Sequence, residues 1–339
     1  MAAPNILCDC TGMSEKRWLE CREHGPKGDI EYTVGGSDVA VIFGLSPWTT
    51  PLELWMVKKG RMKPKAPPNP KQLLMGHMLE PIAAHFYGLQ TGNTVIDDNH
   101  LYQHANLEYA LANIDRRYMR KEDGESGVLE CKSLTYHKAA DWADGAIPIY
   151  YELQLRYYLA VMDQRHGAFS ALWGNNPEHD LATPRIERDQ AREDIIFEKL
   201  DRWIWSLRHD KPPTMEDVKP NLAMAALARI YGASKKGLPT IEFPMKFEPK
   251  LRKIAALQKE NTELKGMIKK NEEAIEAHSV RIAELMKNHE HGILTTTTDK
   301  LLVDFATEVT KRVNSDYLKK EYPSVYTEAL RSLRVGRSK

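Results

Sequence analysis

Cysteine is scarce in this chain. The four thiols among 339 residues are Cys8, Cys10, Cys21 and Cys131, and no two of them form a C-x-x-C pair. Their number and spacing argue against a zinc ribbon or an iron–sulfur cluster, and they read as reduced thiols of a cytosolic protein. Long apolar runs are missing too: none approaches the ~18 residues that span a bilayer, and the N-terminus lacks the charged-then-apolar pattern of a signal peptide. Charge of one sign is not in excess, since 48 Lys and Arg face 47 Asp and Glu for a net charge of +1. A nucleic-acid footprint must therefore be local rather than global. Histidines are scattered (His77, His85, His100, His104, His137) with no second ligand at zinc spacing. Gly35-Gly36-Ser37 lacks the G-K-[ST] ending of a phosphate-binding loop, so nucleotide hydrolysis is not expected.

What is present is a set of charges on short apolar runs. The run Tyr109 to Ile114 ends in Asp115. After a polar turn a second run reads Gly127-Val128-Leu129-Glu130-Cys131-Lys132. Residues two apart on a strand share a face, so Glu130 and Lys132 stand side by side. If the two runs pair as a hairpin, Asp115 sits beside Glu130. Two carboxylates and an ammonium then converge, which is the chemistry of a magnesium-dependent phosphodiesterase: oxygen ligands for a hard cation and a positive group near the attacking water. A buried Glu130 without a partner would be costly, and a metal together with Lys132 would relieve that cost. Lys132 either orients and helps deprotonate water or stabilises charge on the phosphorane. Neighbouring carboxylates favour its charged form and hence the electrostatic role. The Cys131 thiol faces the other way, into packing.

The residue pattern predicts short helices up to about Gly60, with an N-cap at Ser37-Asp38. A proline-rich connector follows from Pro64 to Pro70, then a helix from Lys71 to Gly88 that kinks or starts at Pro81. Strands are expected at Thr94–Ile96, Tyr109–Asp115, Val128–Lys132 and Ala168–Trp173. Helices are expected at Tyr150–Met162, opened by Pro148, and at Gln190–His209 with Ile195, Leu200, Ile204 and Leu207 inward. This order predicts an α/β core, a mixed central sheet flanked by helices. From Ile254 to Leu285 apolar residues alternate three and four apart. That is a heptad repeat with Asn261, Asn271 and His278 on its seam, either pairing between copies, packing on its own domain or folding as a helical hairpin. The expected organisation is a core at 1–213, a linker at 214–249, a heptad helix at 250–290 and a tail module at 291–339.

The motifs also come in a telling order. Trp18 and Arg22 precede Gly35-Gly36-Ser37-Asp38 and Gly44-Leu45-Ser46-Pro47-Trp48. Gly76 precedes Leu79-Glu80-Pro81, Asp115 precedes Glu130-Cys131-Lys132, and Tyr150-Tyr151-Glu152-Leu153-Gln154 leads to Tyr158-Leu159. Over roughly residues 14 to 210 this set resembles the YqaJ-type viral recombinases, the lambda-exonuclease branch of the restriction-endonuclease-like nucleases with a P-D…(D/E)-x-K signature. Ile114 replaces the signature proline. Leu318 to Tyr326 resembles a C-terminal extension of some phage members.

The resemblance implies a restriction-endonuclease-like fold and metal-dependent hydrolysis of linear double-stranded DNA, from the 5′ end, leaving a 3′ single strand for an annealing protein. It implies two magnesium ions, with manganese as the alternative, and a ring of three subunits in the cytoplasm of a bacterial host. It makes Asp115, Glu130 and the backbone carbonyl of Cys131 metal ligands, with Glu80 reaching the metal directly or through water. By the same resemblance Gln154 touches the site, Tyr158 supports it or the DNA, and Arg22 and Ser37 bind a 5′-phosphate. The basic residues Lys58 to Lys65 and the terminus Arg331, Arg334, Arg337 and Lys339 either track DNA phosphates or are ordinary solvated surface. Two other functions fit the sequence: a structure-specific endonuclease on the same core, and a non-catalytic DNA-binding or assembly protein acting through the heptad helix.

Overall fold

A computed structural model describes residues 3–65, 69–176, 178–216, 218–232, 237–289, 291–295 and 300–304. The tail calls on Leu318 to Tyr326 and on the basic terminus lie outside these residues. The chain divides into two compact units, Met1–Gly232 and Ala233–Lys339.

The first unit opens with strand β1 (Asn5–Asp9) and helices α1 (Glu15–His24), α2 (Gly36–Ile42), α3 (Pro51–Lys58) and α4 (Pro70–Thr91). Next come β2 (Thr94–Asp97), β3 (His100–Gln103), β4 (Leu111–Ala112), β5 (Arg116–Met119) and β6 (Ser126–Ser133). A 3-10 segment, Tyr136–Gly145, leads to α5 (Ile149–Met162), then β7 (His166–Leu172), β8 (Leu181–Ala182), β9 (Arg185–Glu187), α6 (Gln190–Arg208) and α7 (Pro220–Tyr231). Helix α4 continues through Pro81 without breaking, at the cost of one backbone hydrogen bond.

The central sheet runs β2-β5-β6-β7-β8, with β9 also on β7. Only the β6–β7 pair in it is parallel, so this is a mixed sheet with helices on both faces. A smaller antiparallel sheet, β1-β3-β4, lies apart from it. The β6 side chains alternate as a central strand requires. Val128 enters the core formed with α5 and α6, alongside Tyr157, Phe169 and Leu200. Leu129 and Cys131 enter the core under α4, with Ala83, Ala84 and Tyr87. A slip of one residue would exchange Glu130 for Leu129 or Cys131 in the dry layer, so packing on both faces fixes the register. Truncating the fully buried Leu129 to Ala would cost about 2–5 kcal/mol.

The expected hairpin between Tyr109–Asp115 and β6 is not the pairing found. The run Tyr109 to Ile114 supplies β4 of the small sheet, and β5 is the antiparallel partner of β6, from Arg116 opposite Leu129 to Met119 opposite Ser126. Asp115 sits where the chain passes from one sheet to the other. On α6, Leu200, Ile204 and Leu207 are buried as expected, but Ile196 takes the inward place and Ile195 is 58% exposed. Helix α7 falls in a stretch with little pattern. It belongs to the first unit, and Arg229 clamps the buried Glu53 of α3 through two guanidinium nitrogens.

The second unit contains the long helix α8 (Glu248–Met286) and an antiparallel hairpin of β10 (His291–Thr295) and β11 (Lys300–Asp304). No described helix is long and apolar enough to cross a membrane.

Candidate active site

The site is built on the open edge of β6. Pairing with β5 ends at Arg116–Leu129, so among the described residues the edge of β6 beyond Leu129 has no strand partner on that side. Asp115, one residue before β5, takes that place: its Oδ2 accepts a hydrogen bond from the Cys131 backbone N–H at 2.8 Å. The N–H and C=O of one strand residue project to the same edge, so the Cys131 carbonyl leaves β6 on the side where Asp115 sits. The Cys131 thiol is buried beneath α4 and its pKa is pushed up, chiefly by burial, as expected for a packing thiol.

Glu130 is 1% exposed. Its Oε1 accepts from Lys132 Nζ at 2.5 Å and from Gln154 Nε2 at 2.6 Å. Its Oε2 is buried with no hydrogen-bond partner among the described residues. Burial, and after it the nearby Asp115 charge, pushes the Glu130 carboxyl up to about 8. Burial acts to lower the Lys132 pKa, but the Glu130 and Asp115 charges outweigh it and hold the ammonium above its ordinary value. The Lys132 ammonium also lies 5.0 Å from the Tyr151 ring centroid.

Glu80, on α4, approaches the same region. Its carboxyl is raised by burial and by Asp115, and its Oε1 accepts from Arg116 at 2.7 Å. Arg116 also holds Asp97 at 2.8 Å and donates to the Asp115 carbonyl at 2.5 Å. Sequence reasoning missed Arg116 and Tyr151. The signal for Arg116 was its place next to Asp115, and Tyr151 stood unused inside a quoted motif.

Among the described residues, no three His, Cys, Asp or Glu side chains gather tightly enough to cage an ion by themselves. The donor set nevertheless fits a hard divalent cation. Magnesium is normally held by one or two carboxylates, with water and substrate phosphate completing its shell, and the orphaned Glu130 Oε2 is a buried oxygen in want of a cation.

A chain of contacts joins this centre to the Gly35-Gly36 turn. Gln154 also reaches the Tyr158 hydroxyl, at 3.3 Å. Burial, and then the Glu130 charge, pushes the Tyr158 phenol upward, so it keeps its proton. The Tyr158 ring lies so close to Gly36 that a Cβ there would sit 2.5 Å from it. Next to it, the Arg22 guanidinium lies against Gly35 and stacks on Trp18 at 4.5 Å. Among the described residues, Arg22 has no carboxylate partner. The N-cap of α2 is Gly35, not Ser37-Asp38: Asp38 accepts from the Gly35 N–H at 3.1 Å. Ser37 is exposed and its hydroxyl is not used in the cap. A cavity of about 450 Å³ extends from Ser37 past Trp48 and Tyr150 to Tyr151 and Gln154.

The chain is similar to several known proteins. Over 324 residues the chain is 26% identical to the uncharacterized protein YqaJ of Bacillus subtilis (strain 168), covering 95% of this chain and 92% of that one. The alkaline exonuclease LHK-Exo from Laribacter hongkongensis is similar in structure with a TM-score of 0.47 and 19% identity, covering 58% of this chain and 94% of that one. A phage related exonuclease from Haemophilus somnus 129PT gives a TM-score of 0.40 and 15% identity, covering 52% of this chain and 93% of that one. Residues 17–165 match the YqaJ-like viral recombinase domain, and Glu80, Asp115, Glu130, Lys132 and Gln154 all fall inside that stretch.

Proposed function

We propose that this chain is a metal-dependent exonuclease that degrades linear double-stranded DNA from its 5′ end in phage-type recombination. One observation carries the chemistry: a dry carboxylate, Glu130, with one oxygen tied to an ammonium and an amide and the other left bare beside Asp115. A cation accounts for that arrangement, which an apolar residue would otherwise fill at lower cost.

Asp115, Glu130 and the Cys131 carbonyl would hold the magnesium or manganese ions, with Glu80 reaching them directly or through water. Bound ions supply Lewis-acid polarisation of the scissile phosphate and a more acidic water. The rest is the work of the chain. Gln154 and Lys132 hold Oε1 of Glu130, so Oε2 faces the reaction. The Lys132 ammonium, kept charged by two carboxylates, stabilises negative charge as it builds on the phosphate and does not serve as a free base. Water adds to phosphorus, the P–O3′ bond breaks, and the 3′ oxygen leaves with a proton. Each cut leaves a new 5′-phosphate, for which the stacked Arg22 fork and Ser37 form the pocket. The 3′ strand left behind passes to a single-strand annealing protein in the bacterial cytoplasm.

The deciding experiment uses end-labelled linear duplex in magnesium or chelator, with a covalently closed circle alongside. Release of label from the linear duplex in magnesium only, with the circle intact, is the expected result. Nicking of the circle would make the protein an endonuclease on the same core. No chelator-sensitive release, or undiminished release by a Lys132→Ala variant, would remove the catalytic reading and leave a DNA-binding or assembly role.

A further inference from the structure

The nuclease reading leaves α8 without a role. Its seam alternates Ile254, Asn261, Ile268, Ile275 and Ile282 with Leu257, Leu264, Asn271, His278 and Leu285. Six of these, Leu257, Leu264, Ile268, Ile275, Ile282 and Leu285, are between 44% and 81% exposed. An aliphatic stripe of that length on a 39-residue helix calls for a cover.

We propose that α8 pairs with α8 of a second copy of this chain as a parallel, in-register, two-stranded coiled coil. Three features of the sequence select that occupant. First, isoleucine fills every apolar position of one seam row and leucine every apolar position of the other. Read as heptad positions a and d, this is the combination that favours two strands over three or four. Second, in parallel register Asn261, Asn271 and His278 each meet their own counterpart, so every polar layer is matched. A slip of one heptad sets Asn261 against Ile268 and leaves a desolvated amide without a partner, which disfavours the slipped register.

Third, the flanking charges choose the direction. In the parallel pair Glu260 of each chain faces Lys265 of the other, on both sides of the seam. The antiparallel alternative that pairs Asn261 with Asn271 sets Lys265 against its own counterpart and Lys253 against Arg281. Both are like-charge contacts, and the favourable pair is lost.

The test uses the full chain with Leu285→Cys, an exposed position. In the parallel pair the two introduced thiols share one layer, and mild oxidation gives a two-chain product at a level well above that of the wild-type chain. In the antiparallel alternative they lie about 57 Å apart at 1.5 Å rise per residue. A second arm puts like charge into the seam: Ile268→Lys weakens self-association by roughly 10–100-fold, and mixing it with Ile268→Glu restores it. The mixture works only where residue 268 meets residue 268. Cross-linking no greater than wild type at Leu285→Cys, self-association unaltered by Ile268→Lys, or no rescue in the mixture would each overturn the proposal.

Discussion

Gln154 donates its side-chain N–H to Glu130 Oε1 at 2.6 Å, and this contact decides which carboxylate oxygen stays bare. Replacing Gln154 with Leu keeps the bulk and removes the donor. Groups that orient metal ligands are worth 10–100-fold in affinity or activity. Gln154→Leu is therefore expected to lower cleavage about 10–100-fold and to raise the magnesium concentration needed for half-maximal rate. Calorimetric titration of magnesium checks the second effect without DNA; unchanged affinity would reduce Gln154 to packing.

The pH dependence follows from Glu130, whose carboxyl is raised from 4.5 to about 8 in the folded, metal-free chain. Between those values the folded state binds a proton that the unfolded state has released. The contribution to stability is therefore full below the unfolded value and is lost as pH rises through about 8. Metal must displace the same proton. Magnesium binding is expected to tighten from pH 6.5 towards 8.5 and to release a proton at the lower end. Titration in buffers of different ionisation heat measures that release.

The Gly36–Tyr158 contact leaves no room for a methyl group. Gly36→Ala should displace the Tyr158 ring and, through it, Gln154. Overpacking of this kind costs about 1–3 kcal/mol, and a urea melt would show it. Cleavage should fall in step with Gln154→Leu. A variant that is destabilised yet fully active would uncouple the turn from the metal centre.

Arg22 stacks on Trp18 and lies against Gly35. With Arg22→Ala the preference for 5′-phosphoryl over 5′-hydroxyl duplex ends should collapse, at a cost of about 1.5–3 kcal/mol for a lost charge-assisted contact. The ratio of the two rates reads this directly. If the rate falls equally on both ends, Arg22 acts elsewhere.

Arg116 ties Glu80, Asp97 and the Asp115 carbonyl together, with its side chain 15% exposed. Arg116→Met leaves the Glu80 and Asp115 carboxylates facing each other unrelieved. Breaking a fully buried pair from one side costs about 3–5 kcal/mol, and the loss here should be smaller, because the Glu80 side chain is 26% exposed and that of Asp97 79%. The loss should shrink when magnesium is added to the melt, because the ion supplies the missing positive charge.

The sequence made some of this legible, for identifiable reasons. β6 could be read because Val128, Leu129 and Cys131 alternate around Glu130, and α5 because Pro148 marks its start. The partner of β6 could not. Its run, Arg116-Arg117-Tyr118-Met119, begins with two arginines, which look like a loop until Glu80, Asp97 and Asp98 are seen to take up their charge. Ile196, four residues before Leu200 and eight before Ile204, lies on the inward face by spacing alone, and Ile195 does not. Ser37 resembles a cap in isolation, but Asp38 reaches back to Gly35 and does the work. Helix α7 lies in a stretch too weakly patterned to be called, although a single buried carboxylate on α3 holds it.

Asp115 and Glu130 sit on one short β-ribbon, β5–β6, whereas Gln154 sits on α5, inside the crossover that leads from β6 to β7. Contacts within a ribbon form in about 1–10 μs; those that wait on a crossover close later, because a longer loop must be ordered first. During synthesis or refolding, the acidic pair would therefore be assembled before its amide lid. A nascent chain could bind cations before it is able to cut.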